Sequence, residues 1–139
     1  MSGRFGFALL ATVGLCGALV AGQAAAAVTV FGGDFAQECY KAAKSGRDEI
    51  NGLQACNRAI ESENLSEHDL AGTYVNRGVI FMDRKAFTLA RRDFEQAIAL
   101  DPRMGDALVN RGGALIGEHR YAEGIADITR GLALGSEEP

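Results

Sequence analysis

Two textures of apolar residues divide the chain. Residues 5–20 are uncharged and dominated by apolar side chains, and they follow the basic start at Arg4. Behind them comes Ala21-Gly22-Gln23-Ala24-Ala25-Ala26-Ala27, a run of mostly small residues. Further on, large and small apolar positions recur at fixed intervals among charged ones. Tyr74-Val75-Asn76-Arg77-Gly78 returns as Leu108-Val109-Asn110-Arg111-Gly112, a shift of 34. At the same offset Phe87 falls on Tyr121, Asp93 on Asp127, Phe94 on Ile128, and the small Ala90 and Ala97 on Gly124 and Gly131. A period of this length marks a supersecondary unit that buries its apolar face by stacking on copies of itself. Small residues let packed helices approach, and Phe94 and Ile128 are the large side chains that fill the space opened there.

Local signals turn the repeat into elements. Ser66 followed by Asp69 reads as a capping box opening a helix that runs to about Arg84. Asp101-Pro102 reads as an N-cap with proline in the first helical position. Turns are predicted at residues 45–48, 83–86 and 117–120. A weaker first unit aligns Ala59-Ile60 with Ala97-Ile98 at an offset of 38, with the four extra residues at 64–67. The prediction is six helices in three antiparallel pairs.

These residues resemble the tetratricopeptide repeat, a 34-residue helix–turn–helix unit. Tyr74, Gly78 and Phe81 occupy the places of its first helix, and Ala90, Phe94, Ala97 and Pro102 those of its second. The following unit keeps Leu108, Gly112, Leu115, Gly124 and Ile128, with Ser136 in place of the terminal proline. The resemblance implies an all-α, right-handed α-solenoid, with a degenerate hairpin at 35–65 and repeats at 71–104 and 105–138.

The N-terminal segment has the layout of a secretory signal: positive head, apolar middle, small-residue exit. The cut is placed after Ala27, with Ala26 and Ala24 as competing sites, leaving 28–34 as a short lead into the helical domain. An uncleaved anchor is the alternative, since residues 5–22 carry no charge. Cys16 leaves with the signal, because Leu15 before it is unlike the small residue of a lipobox. Export, to the periplasm if the source is bacterial, makes the remaining Cys39 and Cys56 candidates for a disulfide. Their midpoint falls in the first predicted turn, so they face one another across the hairpin. The same arithmetic pairs Arg77 with Asp93 and Arg111 with Asp127. In the alternative reading those arginines face a ligand.

Composition then narrows the function. In 139 residues, 47% hydrophobic and 23% charged, with a net charge of −4, the balance is that of a folded acidic chain. It lacks the basic surplus of a general nucleic-acid binder. No phosphate-cradling glycine loop, HExxH or nucleophile elbow occurs, and His68 and His119 stand far apart in expected turns. No catalytic apparatus, metal or cofactor is expected. The repeat resemblance implies a concave face lined by first helices, here Val75, Asn76, Val79 and Met82, then Val109, Asn110, Gly113 and Ile116. A carboxamide can donate to and accept from a peptide backbone, so Asn76 and Asn110 either read an extended segment or bridge adjacent units. Valines stand where carboxylate-clamping relatives carry lysine or arginine. The chain stops directly after its last helix, without a polar cap, so a partner protein or a second copy is expected at the C-terminal hairpin. The reading is an exported peptide- or protein-binding module, without nucleic acid and without stable membrane insertion after cleavage. The alternative is a small thiol-redox protein using Cys39 and Cys56.

Overall fold

The computed structural model of the protein describes residues 25–47 and 49–135. Most of the expected signal, Cys16 included, lies outside them, as do Asp48 of the first predicted turn and Ser136. The described residues form six helices and no strand: α1 (Asp34–Ser45), α2 (Glu49–Ser62), α3 (Glu67–Asp83), α4 (Phe87–Leu100), α5 (Gly105–Gly117) and α6 (Tyr121–Gly135). They pair as α1–α2, α3–α4 and α5–α6, and each pair also packs against the next. None of these helices is long and apolar enough to cross a membrane.

The shift of 34 carries the start of α4 at Phe87 onto the start of α6 at Tyr121, and the shift of 38 carries Glu49 onto Phe87. Of the four extra residues expected at 64–67, only Glu67 is helical, and the added length is a first turn of α3. Shifting α5 back by 34 would begin α3 at residue 71, yet α3 begins at Glu67. Ser66 caps that turn, its Oγ accepting the Asp69 N–H at 3.1 Å. In a full capping box Asp69 would return a bond to the Ser66 amide. Here one Asp69 oxygen accepts the Ser66 hydroxyl at 2.8 Å and the other is used elsewhere.

The expected helix start at Asp101-Pro102 is corrected by the structure. Asp101 is extended, its carboxylate accepts the Arg103 N–H at 3.0 Å, and its carbonyl accepts the Met104 N–H at 3.1 Å. Asp at the first and Pro at the second position suit a tight turn, and α5 starts three residues later, at Gly105.

The core runs between the helices of each pair. Phe94, fully buried, lays its ring where a Cβ on Gly78 would sit, and Ile128 does the same over Gly112. In the last hairpin the backbones themselves meet. A Cβ on Gly124 would lie 2.7 Å from the Gly112 carbonyl oxygen, and one on Gly131 would lie 2.6 Å from that of Gly105. Cys39 and Cys56 form a disulfide across α1–α2, with Cα atoms 4.8 Å apart and both residues fully buried.

Candidate functional site

Residues 25–31 take no regular secondary structure and cross α5, α3 and α1 in turn as a strap. Each of these helices offers one carboxamide to it. Asn110 on α5 accepts the Ala26 N–H at 3.1 Å and donates to the Ala26 carbonyl at 2.8 Å. Asn76 on α3 repeats the motif with Val28, at 2.7 Å for both bonds. Gln37 on α1 donates to the Val30 carbonyl. Residues 26, 28 and 30 are therefore held alternately along an extended backbone, one per hairpin.

The strap is also packed. Val30 is fully buried with Ala36 and Ala59, while Ala25, Ala27 and Val28 lie against the main core. Gly72 leaves the room: a Cβ there would lie 2.8 Å from Val30 Cγ1 and 3.3 Å from Val28 Cγ1. At the far end the Phe31 N–H donates to Asp69 Oδ1 at 2.8 Å. That bond first, and the Ser66 hydroxyl second, hold the Asp69 carboxyl below its ordinary range. Glu63 fixes the start of α1, where Gly33 provides no side-chain cap, by accepting the Phe35 and Ala36 N–H groups at 2.9 and 3.1 Å. A carboxylate suits the positive end of a helix.

Other residues expected on this face lie elsewhere. Val75 and Val79 are buried in the core, Val109 lies against Gly131, and Ile116 lies against Gly124. Val109 and Ile116 thus meet α6, the second helix of their pair, while Val109 also reaches the cleft beside the strap. Met82 and Gly113 approach each other across α3 and α5, with Met82 Cε 3.5 Å from a Cβ built on Gly113. Gln37, Asp69 and Gly72 complete the strap's bed; the sequence pointed to Asp69 only as a capping residue and to Gln37 and Gly72 not at all. A glycine inside α3, at no position of the repeat, was the available signal for one.

The arginine pairs meet as the midpoint arithmetic expects. Arg77 donates from Nε and Nη2 to Asp93 at 2.8 and 2.7 Å, and Arg111 to Asp127 at 2.6 and 2.8 Å. Arg77 also reaches Asn57 on α2 at 2.7 Å, tying the first hairpin to the second. These hydrogen bonds, against the opposing effect of burial, raise both arginine pKa values. Two-pronged geometry toward a carboxylate consumes the fork that a ligand would need.

The histidines take separate roles: His68 lies 3.6 Å from Asp101, and His119 Nδ1 is 2.8 Å from the Tyr121 hydroxyl. Among the described residues no group of three or more His, Cys, Asp or Glu could hold a metal ion. An open cleft of about 770 Å³ flanks the strap, lined in part by Val28, Thr29, His68, Asp101, Met104 and Val109. On α6, Tyr121, Ile125 and Leu132 are 56, 60 and 63% exposed. No protein-family model matches the chain, and no curated protein matches it significantly.

Proposed function

We propose that the protein is an exported, non-catalytic binding module, a short right-handed α-solenoid of tetratricopeptide type that grips an extended polypeptide by its backbone. The carrying observation is the paired hydrogen bonding of Ala26 by Asn110 and of Val28 by Asn76. A carboxamide so placed reads an N–H and a C=O of one residue and is indifferent to its side chain. Two residues of extended chain advance about 7 Å, less than the roughly 8–10 Å between packed helix axes. That mismatch suits the inner side of a curved stack, where first helices converge.

The buried disulfide favours this reading over thiol-redox chemistry, because exchange requires a thiolate to reach a sulfur. Both cysteines have no exposure. The disulfide agrees with delivery to an oxidising compartment.

The test is a chain beginning at Gly32, mixed with the synthetic heptapeptide Ala-Ala-Ala-Val-Thr-Val-Phe and followed by calorimetry. Binding that disappears in the Asn76→Ala, Asn110→Ala variant is the expected result. A helical chain that ignores the peptide removes the proposal.

A second contact is favoured by a comparison of α4 with α6. Toward α5, α4 presents Phe87 over Gly117 and Arg91 bonded to Glu118 at 3.0 Å. Thirty-four residues on, α6 carries Tyr121 and Ile125 at those places, and Leu132 where α4 has Ile98. With Ile125 in place of the ion-paired Arg91, and with Tyr121 and Leu132 exposed beside it, this face of α6 suits a partner protein or a second copy. Sedimentation of the wild type and of Ile125→Glu distinguishes the two. A concentration-dependent dimer lost on substitution indicates self-association.

A further inference from the structure

We infer that the signal is cut between Ala24 and Ala25, so that the exported chain keeps the segment that fills its own binding face. The inference rests on the export reading and deepens it. Sequence leaves three small-residue exits, after Ala24, Ala26 and Ala27, and small-x-small preferences do not separate them. Gly22-Gln23-Ala24 meets the requirement as well as Ala25-Ala26-Ala27 does.

The structure separates them. Cutting after Ala27 removes Ala26, both of whose backbone groups are held by Asn110. Asn110 is only 4% exposed, so its carboxamide would lose two partners where water has little access. The same cut removes Ala25 and Ala27 from the core they pack against and turns the Val28 amide, now bonded to Asn76, into a terminal ammonium. Cutting after Ala26 loses the Asn110 pair as well. Of the three exits, the one after Ala24 alone preserves every strap contact described.

The consequence is a module that carries its own ligand. A tethered segment competes at an effective concentration in the millimolar range, so an external peptide would gain the face only by displacing residues 25–31.

Intact mass and N-terminal sequencing of the protein recovered from the exported fraction test the site. A chain beginning at Ala25 is expected. A start at Ala27 or Val28 overturns the inference while leaving export intact, and a full-length uncut chain overturns both. A thermodynamic cycle tests the reason. The chain starting at Val28 should melt about 5 °C below the one starting at Ala25, and Asn110→Ala should narrow that gap by the share that the Ala26 bonds contribute. An equal gap in both backgrounds, or no gap in the wild type, would show that Asn110 does not recognise Ala26.

Discussion

At the scale of single residues, the two asparagines do the same work one repeat apart. Asn76 has no exposure, and its carboxamide both donates and accepts. Asn76→Ala should cost about 1–3 kcal/mol, because the Val28 groups lose their partners in a partly buried place. Asn76→Asp should cost more, since a carboxylate cannot donate to the Val28 carbonyl and brings an unpaired charge into the core. Urea denaturation of the two variants checks the order. Asp69 gives the strap an acid sensitivity. Its folded pKa is depressed, so its contribution is present above the unfolded value near 3.9 and is lost as the pH falls through the folded one. In Asp69→Asn the decline in stability between pH 5 and the acid limit should be shallower, as melting curves taken across that range would register.

Among the helices, glycine has two opposite meanings. Gly124 and Gly112 bring α6 and α5 into backbone contact, so Gly124→Ala forces the helices apart and should cost about 1–3 kcal/mol. Gly113 sits in the same pair of repeats, but a Cβ there would meet only Met82 Cε at 3.5 Å, an ordinary contact. Gly113→Ala should therefore stabilise by about 0.5–1 kcal/mol through helix propensity. Thermal unfolding of both variants gives opposite shifts if the packing is as described. The turns repeat too: Lys85 and His119, 34 apart, both adopt positive φ, at 57° and 64°. Left-handed backbone at non-glycine residues is unfavourable, and its recurrence shows that the connection geometry overrides local preference.

Across the whole molecule the strap and the disulfide act together. The disulfide closes the hairpin whose α1 supplies Gln37, and Val30 is buried against that hairpin's Ala36 and Ala59. Replacing both cysteines by serine should lower stability by about 3 kcal/mol in the chain-entropy view. Hydrogen exchange should then show the first hairpin and the strap opening together, while α5 and α6 stay protected. Separate opening would mean that the strap is held chiefly by Asn76 and Asn110.

Much of this architecture was written locally. The three turns, the Cys39–Cys56 pairing and the two Arg–Asp pairs all lie within single hairpins, and the period of 34 only repeats one hairpin as the next. There the position of a turn fixes which residues face each other, because an antiparallel pair is symmetric about it. The tertiary structure decided what that rule does not reach. Asn110 meets Ala26 across 84 residues and Asn76 meets Val28 across 48, from a segment with no periodicity of its own. Whether those carboxamides met a neighbouring unit, a foreign peptide or the chain's own residues 25–31 depended on the combined angles of three packed hairpins. The same holds for Asp101, whose side chain suits a helix cap or a tight turn equally and takes the turn where α4 hands over to α5. Spacing along the chain determines contacts between near neighbours, whereas the path of an irregular segment is set only once the surface beneath it exists.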